Sequence, residues 1–225
     1  KNKMGILDLF REKKEKEIDF KLKKKVSGEY EDFKKRLRSS SLIILITGKR
    51  GSGKTALGFK FLDVLSGRRK AYYLGEGKLP WFIKKVSDIK DVSNDSVLLV
   101  DEAAITYSSR HSMKKSNKAL SEIMVIARHK NLSLIIITQN SAMIDLNIIR
   151  LTDTLIFKEP SLLQSRFERR SVLDLFKKAD EHFNKMPAKE RIKFFYVLDD
   201  EFEGMLESTL PEFWNEKISK SFSKF

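Results

Sequence analysis

Residues 48–55 read Gly-Lys-Arg-Gly-Ser-Gly-Lys-Thr, between an apolar run at 42–47 and a helix-like stretch at 56–65. This is a complete phosphate-binding loop in the only setting where it works, after a strand and before a helix. Its glycines let main-chain N–H groups curl around phosphate oxygens, and the following helix points its positive end at the same anion. The pattern implies a nucleoside triphosphate cradled by Gly48, Gly51, Ser52, Gly53 and Lys54. Lys54 reaches the outer phosphates, and the Thr55 hydroxyl joins a Mg²⁺ shell.

Further short β-like runs follow at 71–74, 97–100, 132–138 and 154–157, alternating with helical or irregular connections. Several are apolar throughout rather than alternating, as expected when helices cover both faces of a sheet. The expected fold is therefore α/β, a three-layer αβα sandwich with a mostly parallel sheet, which the phosphate loop makes a P-loop NTPase fold. Three parts are expected along the chain: a charged amphipathic helical arm (1–40), the core (41–160), and a helical segment plus a C-terminal β-hairpin (161–225). In the arm, Ile18, Leu22, Val26, Tyr30, Phe33 and Leu37 form one stripe at helical spacing, interrupted by Ser27-Gly28. That stripe suits either packing on the core or docking on a subunit, DNA or a membrane. The hairpin is expected from strands at 192–198 and 205–210, joined by a turn through Asp199-Asp200-Glu201 and Gly204.

The charge balance is +14, from 45 basic and 31 acidic residues. An excess of this size suits a polyanionic partner such as nucleic acid or an anionic membrane face. Cysteine is absent, which removes disulfide and thiolate-metal chemistry and fits a cytoplasmic setting. No apolar run approaches the roughly 18–20 residues needed to cross a bilayer. The chain begins at Lys1 rather than methionine, consistent with an N-terminus that extends further.

The run 97–100 ends in Asp101-Glu102. A parallel strand delivers its C-terminal end to the sheet edge that carries the phosphate loop. Asp101 is thus expected to hold Mg²⁺ through water, and Glu102 to orient or deprotonate the attacking water. The run 132–138 ends at Gln139, an amide that can contact the γ-phosphate and the same water. Arg128 and Arg150 each close a helical segment just before a strand, at the edge opposite their own loop. Either could reach a nucleotide on a neighbouring subunit, although charge at a helix C-terminus explains both without a function. Arg110 is a third candidate. His111, His129 and His182 have no metal-ligand spacing. No Asn-Lys-x-Asp motif follows the loop, which favours ATP over GTP.

Taken in order, residues 48–55, Asp101-Glu102 and Thr138-Gln139 make the chain resemble the HerA/FtsK superfamily of P-loop ATPases. Within it, Ala127-Arg128-His129-Lys130, Ile137-Thr138-Gln139-Asn140 and Ile149-Arg150 are most similar to the zonula occludens toxin N-terminal domain. That branch includes filamentous-phage assembly ATPases, with viral genome-packaging ATPases as relatives. The resemblance implies ATP and Mg²⁺, a hexameric ring with nucleotide between subunits, and DNA threaded through it. It makes Glu102, Gln139 and Arg128 the expected catalytic residues. Phage assembly proteins carry a membrane span after this domain and none is seen here, so a packaging motor is the leading expectation. An assembly ATPase with a viral coat or membrane partner, membrane- or virion-associated, is the second. A nucleotide-gated scaffold with little turnover is the third.

Overall fold

The computed structural model describes residues 16–67, 69–101, 113–138, 146–160 and 170–222. Its elements in chain order are β1 (Lys21–Gly28), α1 (Tyr30–Ser39), β2 (Ile43–Thr47), α2 (Lys54–Leu65), β3 (Ala71–Leu74), β4 (Ile83–Val86), β5 (Val97–Asp101) and α3 (Met113–His129). There follow β6 (Ser133–Ile137), α4 (Leu146–Leu151), β7 (Thr154–Phe157), α5 (Arg170–Asn184), β8 (Phe194–Asp199), β9 (Phe202–Glu207) and α6 (Glu216–Phe222). The strands form one sheet in the order β1-β9-β8-β7-β2-β6-β5-β3-β4. From β7 to β4 all neighbours are parallel, while β8, β9 and β1 extend the sheet antiparallel.

β2 shows why its sequence carries no alternation. Ile43 and Leu45 enter one apolar cluster, with Leu120, Met124 and Ala127 of α3 and Phe176, Ala179 and Phe183 of α5. Ile44 and Ile46 enter the other, with Phe33 and Leu37 of α1 and Leu57, Phe61 and Leu62 of α2. Both faces are covered, so both parities must be apolar. The three-layer α/β sandwich expected from the sequence is present. β6 lies between β2 and β5, which brings the three strand ends that matter onto one edge.

The N-terminal stripe is corrected. Residues 21–28 form a strand, and the helix is confined to α1. Ile18, Phe20, Phe33 and Leu37 are buried, whereas Leu22 and Val26 are each 46% exposed. The spacing of four is therefore accidental across β1, which is exposed along its whole length and, among the described strands, pairs with β9 alone. Gly28 ends it at φ 69°, where a Cβ would meet the Glu201 carbonyl oxygen at 2.0 Å. The hairpin is present, but its second strand starts at Phe202, earlier than expected. Gly204 lies inside that strand rather than in the turn, because β1 passes so close that a Cβ there would sit 2.4 Å from the Lys24 carbonyl oxygen.

Candidate nucleotide site

The loop after β2 runs directly into α2. Gly53 stands at the N-terminal boundary of that helix with φ 88°, a backbone state that β-carbons resist. Gly48 lies against Lys158, whose carbonyl oxygen would be 2.9 Å from a Cβ added there. Lys54 is buried, and its Nζ donates to the carbonyl oxygens of Gly48 and Lys49, both at 2.8 Å. Its ammonium therefore closes the loop on itself. Ser52 Oγ is buried with no hydrogen-bond partner. A buried hydroxyl without a partner is costly, and an oxyanion held in the loop would satisfy it. The residues present thus fit a phosphate group. Thr55 follows in the first turn of α2, partly exposed.

Asp101 ends β5 at the same edge. It is level with Ile137 of β6, which is level in turn with Ile46 of β2, two residues before Gly48. Tyr73 of β3 points its hydroxyl at the Glu76 carbonyl oxygen (3.1 Å) and toward Asp101 Oδ2 (3.5 Å). Burial, and then the Asp101 charge, hold the Tyr73 phenol above its ordinary pKa. A neutral donor thus flanks the Asp101 carboxylate. Thr138 N donates to the Ile46 carbonyl oxygen at 3.0 Å, tying the end of β6 to the loop strand. Glu102, Gln139 and Arg110 lie outside the described residues.

Arg128 sits at the opposite end, at the close of α3. Its Nη2 donates to Asp153 Oδ1 at 2.7 Å, and Asp153 Oδ2 accepts from Ile43 N at 2.7 Å. Arg150 is exposed in the last turn of α4. Neither arginine lies at its own loop, as their position in the sequence predicts.

Lys158 carries no motif and went unnoticed in the sequence. It follows β7, is buried, and donates from Nζ to the carbonyl oxygens of Ile192 (2.5 Å) and Phe194 (2.8 Å). Burial pushes its pKa down to about 7; Glu159 opposes the fall and Lys54 adds to it. Glu159 itself is held below its ordinary pKa: burial works to raise it, but Lys49 and Arg191 win. Between pH 7 and the usual lysine range near 10.4, the unfolded chain holds a proton at Lys158 that the folded chain lacks. Stability must therefore rise with pH across that window. A Lys158→Met protein should lose this rise. Melts at pH 7 and 9 should show wild type gaining a few degrees more than the variant; parallel curves would mean that Lys158 stays charged.

A cleft of about 460 Å³ opens at the loop. Gly51, Gly53, Lys54 and Thr55 line one side, and residues from Ile192 and from the C-terminal segment after β9 line the other. That far wall was also missed from sequence. A P-loop strand and helix, an acid ending β5, and β6 interposed between them define a P-loop NTPase.

Comparisons with known proteins bear on the same fold. Residues 79–156 match the family model of zonular occludens toxin (Zot), a stretch from just before β4 to β7 that excludes the phosphate loop. No curated protein matches in sequence. Among solved structures, the DNA-packaging ATPase B204 of Sulfolobus turreted icosahedral virus superposes with a TM-score of 0.52 at 17% identity, covering 76% of this chain and 99% of that one. The conjugation coupling protein TcpA of pCW3, solved with ATPγS, gives 0.52 at 11% identity, covering 76% and 61%. EssC (ATPases 2 and 3) from Geobacillus thermodenitrificans gives 0.50 at 10%, covering 80% and 42%. At these identities the likeness speaks to fold. No described helix is long and apolar enough to cross a membrane.

Proposed function

We propose that this protein is an ATP-hydrolysing motor that packages or translocates DNA, working as a ring with nucleotide between subunits. The observation that carries the reading is the meeting of the loop and Asp101 at one sheet edge, with a buried Ser52 hydroxyl awaiting a partner. In this reading the loop N–H groups and Lys54 bind the phosphates, while Thr55 and Asp101 hold Mg²⁺. The metal, when bound, neutralises charge on the phosphate oxygens. Glu102 positions and deprotonates the attacking water, Gln139 senses the γ-phosphate, and Arg128 reaches the nucleotide of the adjacent subunit. The formal charge of +14 supports a polyanionic cargo. Support also comes from the fold shared with the B204 of Sulfolobus turreted icosahedral virus 2, described as a genome packaging NTPase and solved with AMPPCP, and with a conjugation coupling protein.

ATP turnover measured with and without duplex DNA tests this. Stimulation of about tenfold is expected, with DNA affinity falling against salt at a slope of about −0.9 per phosphate neutralised. Turnover indifferent to DNA under oligomeric conditions would sink the motor. The zonular occludens toxin match favours one other reading, an ATPase that remodels a virion or secretion assembly at a membrane. Stimulation by coat protein or anionic vesicles, with none by DNA, would select it.

A further inference from the structure

The cleft at the phosphate loop is lined beside the loop by large apolar side chains, Ile192, Leu210, Trp214 and Phe222. Ile192 lies in the turn Arg191–Lys193 and is 56% exposed; Leu210 follows β9 and is 61% exposed. Both line this cleft. Each of these two large aliphatics keeps more than half of its surface in water beside a phosphate loop, and burying either against a flat ring would be favourable.

Their placement relative to the loop is built rather than incidental. Lys158 packs its main chain on Gly48 and donates to the Ile192 carbonyl oxygen, so one lysine fixes the Ile192 turn to the phosphate cradle. A Cβ at Gly53 would lie 3.3 Å from Ile192 Cγ1. The segment bearing Leu210 is tied to the same turn, because Ser208 N donates to the Lys193 carbonyl oxygen at 2.9 Å. Behind it, Trp214 stacks on Phe222 with centroids 5.7 Å apart and rings 3° from parallel, and both lean on Phe59 of α2.

Two of the lining hydroxyls already donate within the fold. Thr209 Oγ1 donates to Asp19 Oδ2 at 3.0 Å, and Ser208 Oγ donates to the Thr209 carbonyl oxygen at 2.8 Å. Among the described lining residues none is acidic.

We propose that Ile192 and Leu210 are the two jaws of a nucleobase slot that takes a purine by its faces while the loop takes the triphosphate. This rests on reading the loop as a triphosphate site. It assigns a role to the C-terminal segment after β9, and it predicts purine triphosphates bound better than pyrimidine ones.

Calorimetric titration of the full chain with ATP, GTP, CTP and inorganic tripolyphosphate tests the slot. Ile192→Ser and Leu210→Ser should each weaken ATP about five- to tenfold, the loss expected for one aliphatic contact, and leave tripolyphosphate within twofold. Retained tripolyphosphate binding also proves that the variants fold. ATP affinity unchanged in both variants would overturn the slot, as would ATP and tripolyphosphate weakening together, or variants that instead alter the sedimentation of the ring. If wild type binds neither ATP nor tripolyphosphate, the triphosphate reading fails first and the slot with it. If wild type binds both equally, the slot alone fails.

Discussion

Replacing Lys54 by alanine is expected to weaken ATP binding by at least about 100-fold. Two losses combine. The first is direct: a hydrogen bond to a charged group contributes about 1.5–3 kcal/mol, and an ammonium between two phosphates makes more than one. Two such contacts correspond to roughly 10²–10⁴ in affinity. The second is architectural. Lys54 Nζ joins the Gly48 and Lys49 carbonyl oxygens across the loop, so its removal releases the turn that gathers the N–H groups. Lys54→Arg should not rescue, because a planar fork cannot replace a compact ammonium in a buried position between those two carbonyls. Titration with ATP and with tripolyphosphate checks this, and both should be lost in parallel since the defect lies in the phosphate cradle. An alanine protein that holds ATP within threefold of wild type would remove the loop from the site altogether. The contrast with Ile192→Ser, which should spare tripolyphosphate, separates the two ends of one cleft.

Much of this arrangement was legible before any coordinates, and what was not has identifiable causes. The loop at 48–55 and the acid at Asp101 declare themselves because phosphate and metal chemistry admit few residue types at those spacings. β2 and β6 declare themselves because burial on both faces leaves only apolar choices. β1 did not: an edge strand exposed on both sides has no buried parity, so its lysines and scattered aliphatics carry no period, and a chance spacing of four passed for a helix. β4 is too short, apolar only at Ile83 and Val86. Lys158 had no signal, since one lysine among forty-five basic residues says nothing until its burial is known. The C-terminal wall did leave a trace. α2 carries Phe59, Phe61 and Leu62 beside Lys60 and Asp63, and all five are buried. A helix apolar on more than one face needs cover on its outer side, and Phe213, Trp214 and Phe222 supply it beyond the hairpin.

The second large effect concerns Arg128, whose position makes it unable to act on its own nucleotide. It closes α3 at the N-terminal edge of the sheet, bonded to Asp153, while the loop and Asp101 occupy the other edge. A guanidinium there contributes to hydrolysis only if a neighbouring subunit presents its nucleotide to that edge, and in-trans arginines contribute about 10³–10⁵ in rate. Arg128→Ala should therefore leave ATP affinity within about twofold and cut turnover by at least about 100-fold. The Asp153 bond makes a competing account available, in which Arg128 only steadies the start of β7. Stability does not distinguish them: a partly exposed ion pair of this kind contributes at most about 1 kcal/mol, so the variant should melt within a few degrees of wild type whichever account holds. Mixing decides the matter. Glu102→Gln subunits are expected to bind ATP without hydrolysing it, yet they still carry Arg128. Arg128→Ala subunits retain Glu102 but offer no finger. Two inactive preparations, combined under conditions that exchange subunits, should regain part of the wild-type rate at interfaces pairing an intact Glu102 with a neighbour's intact Arg128. If the mixture stays as inactive as its components while sedimentation shows that they have co-assembled, Arg128 is not the finger, and exposed Arg150 becomes the residue to replace.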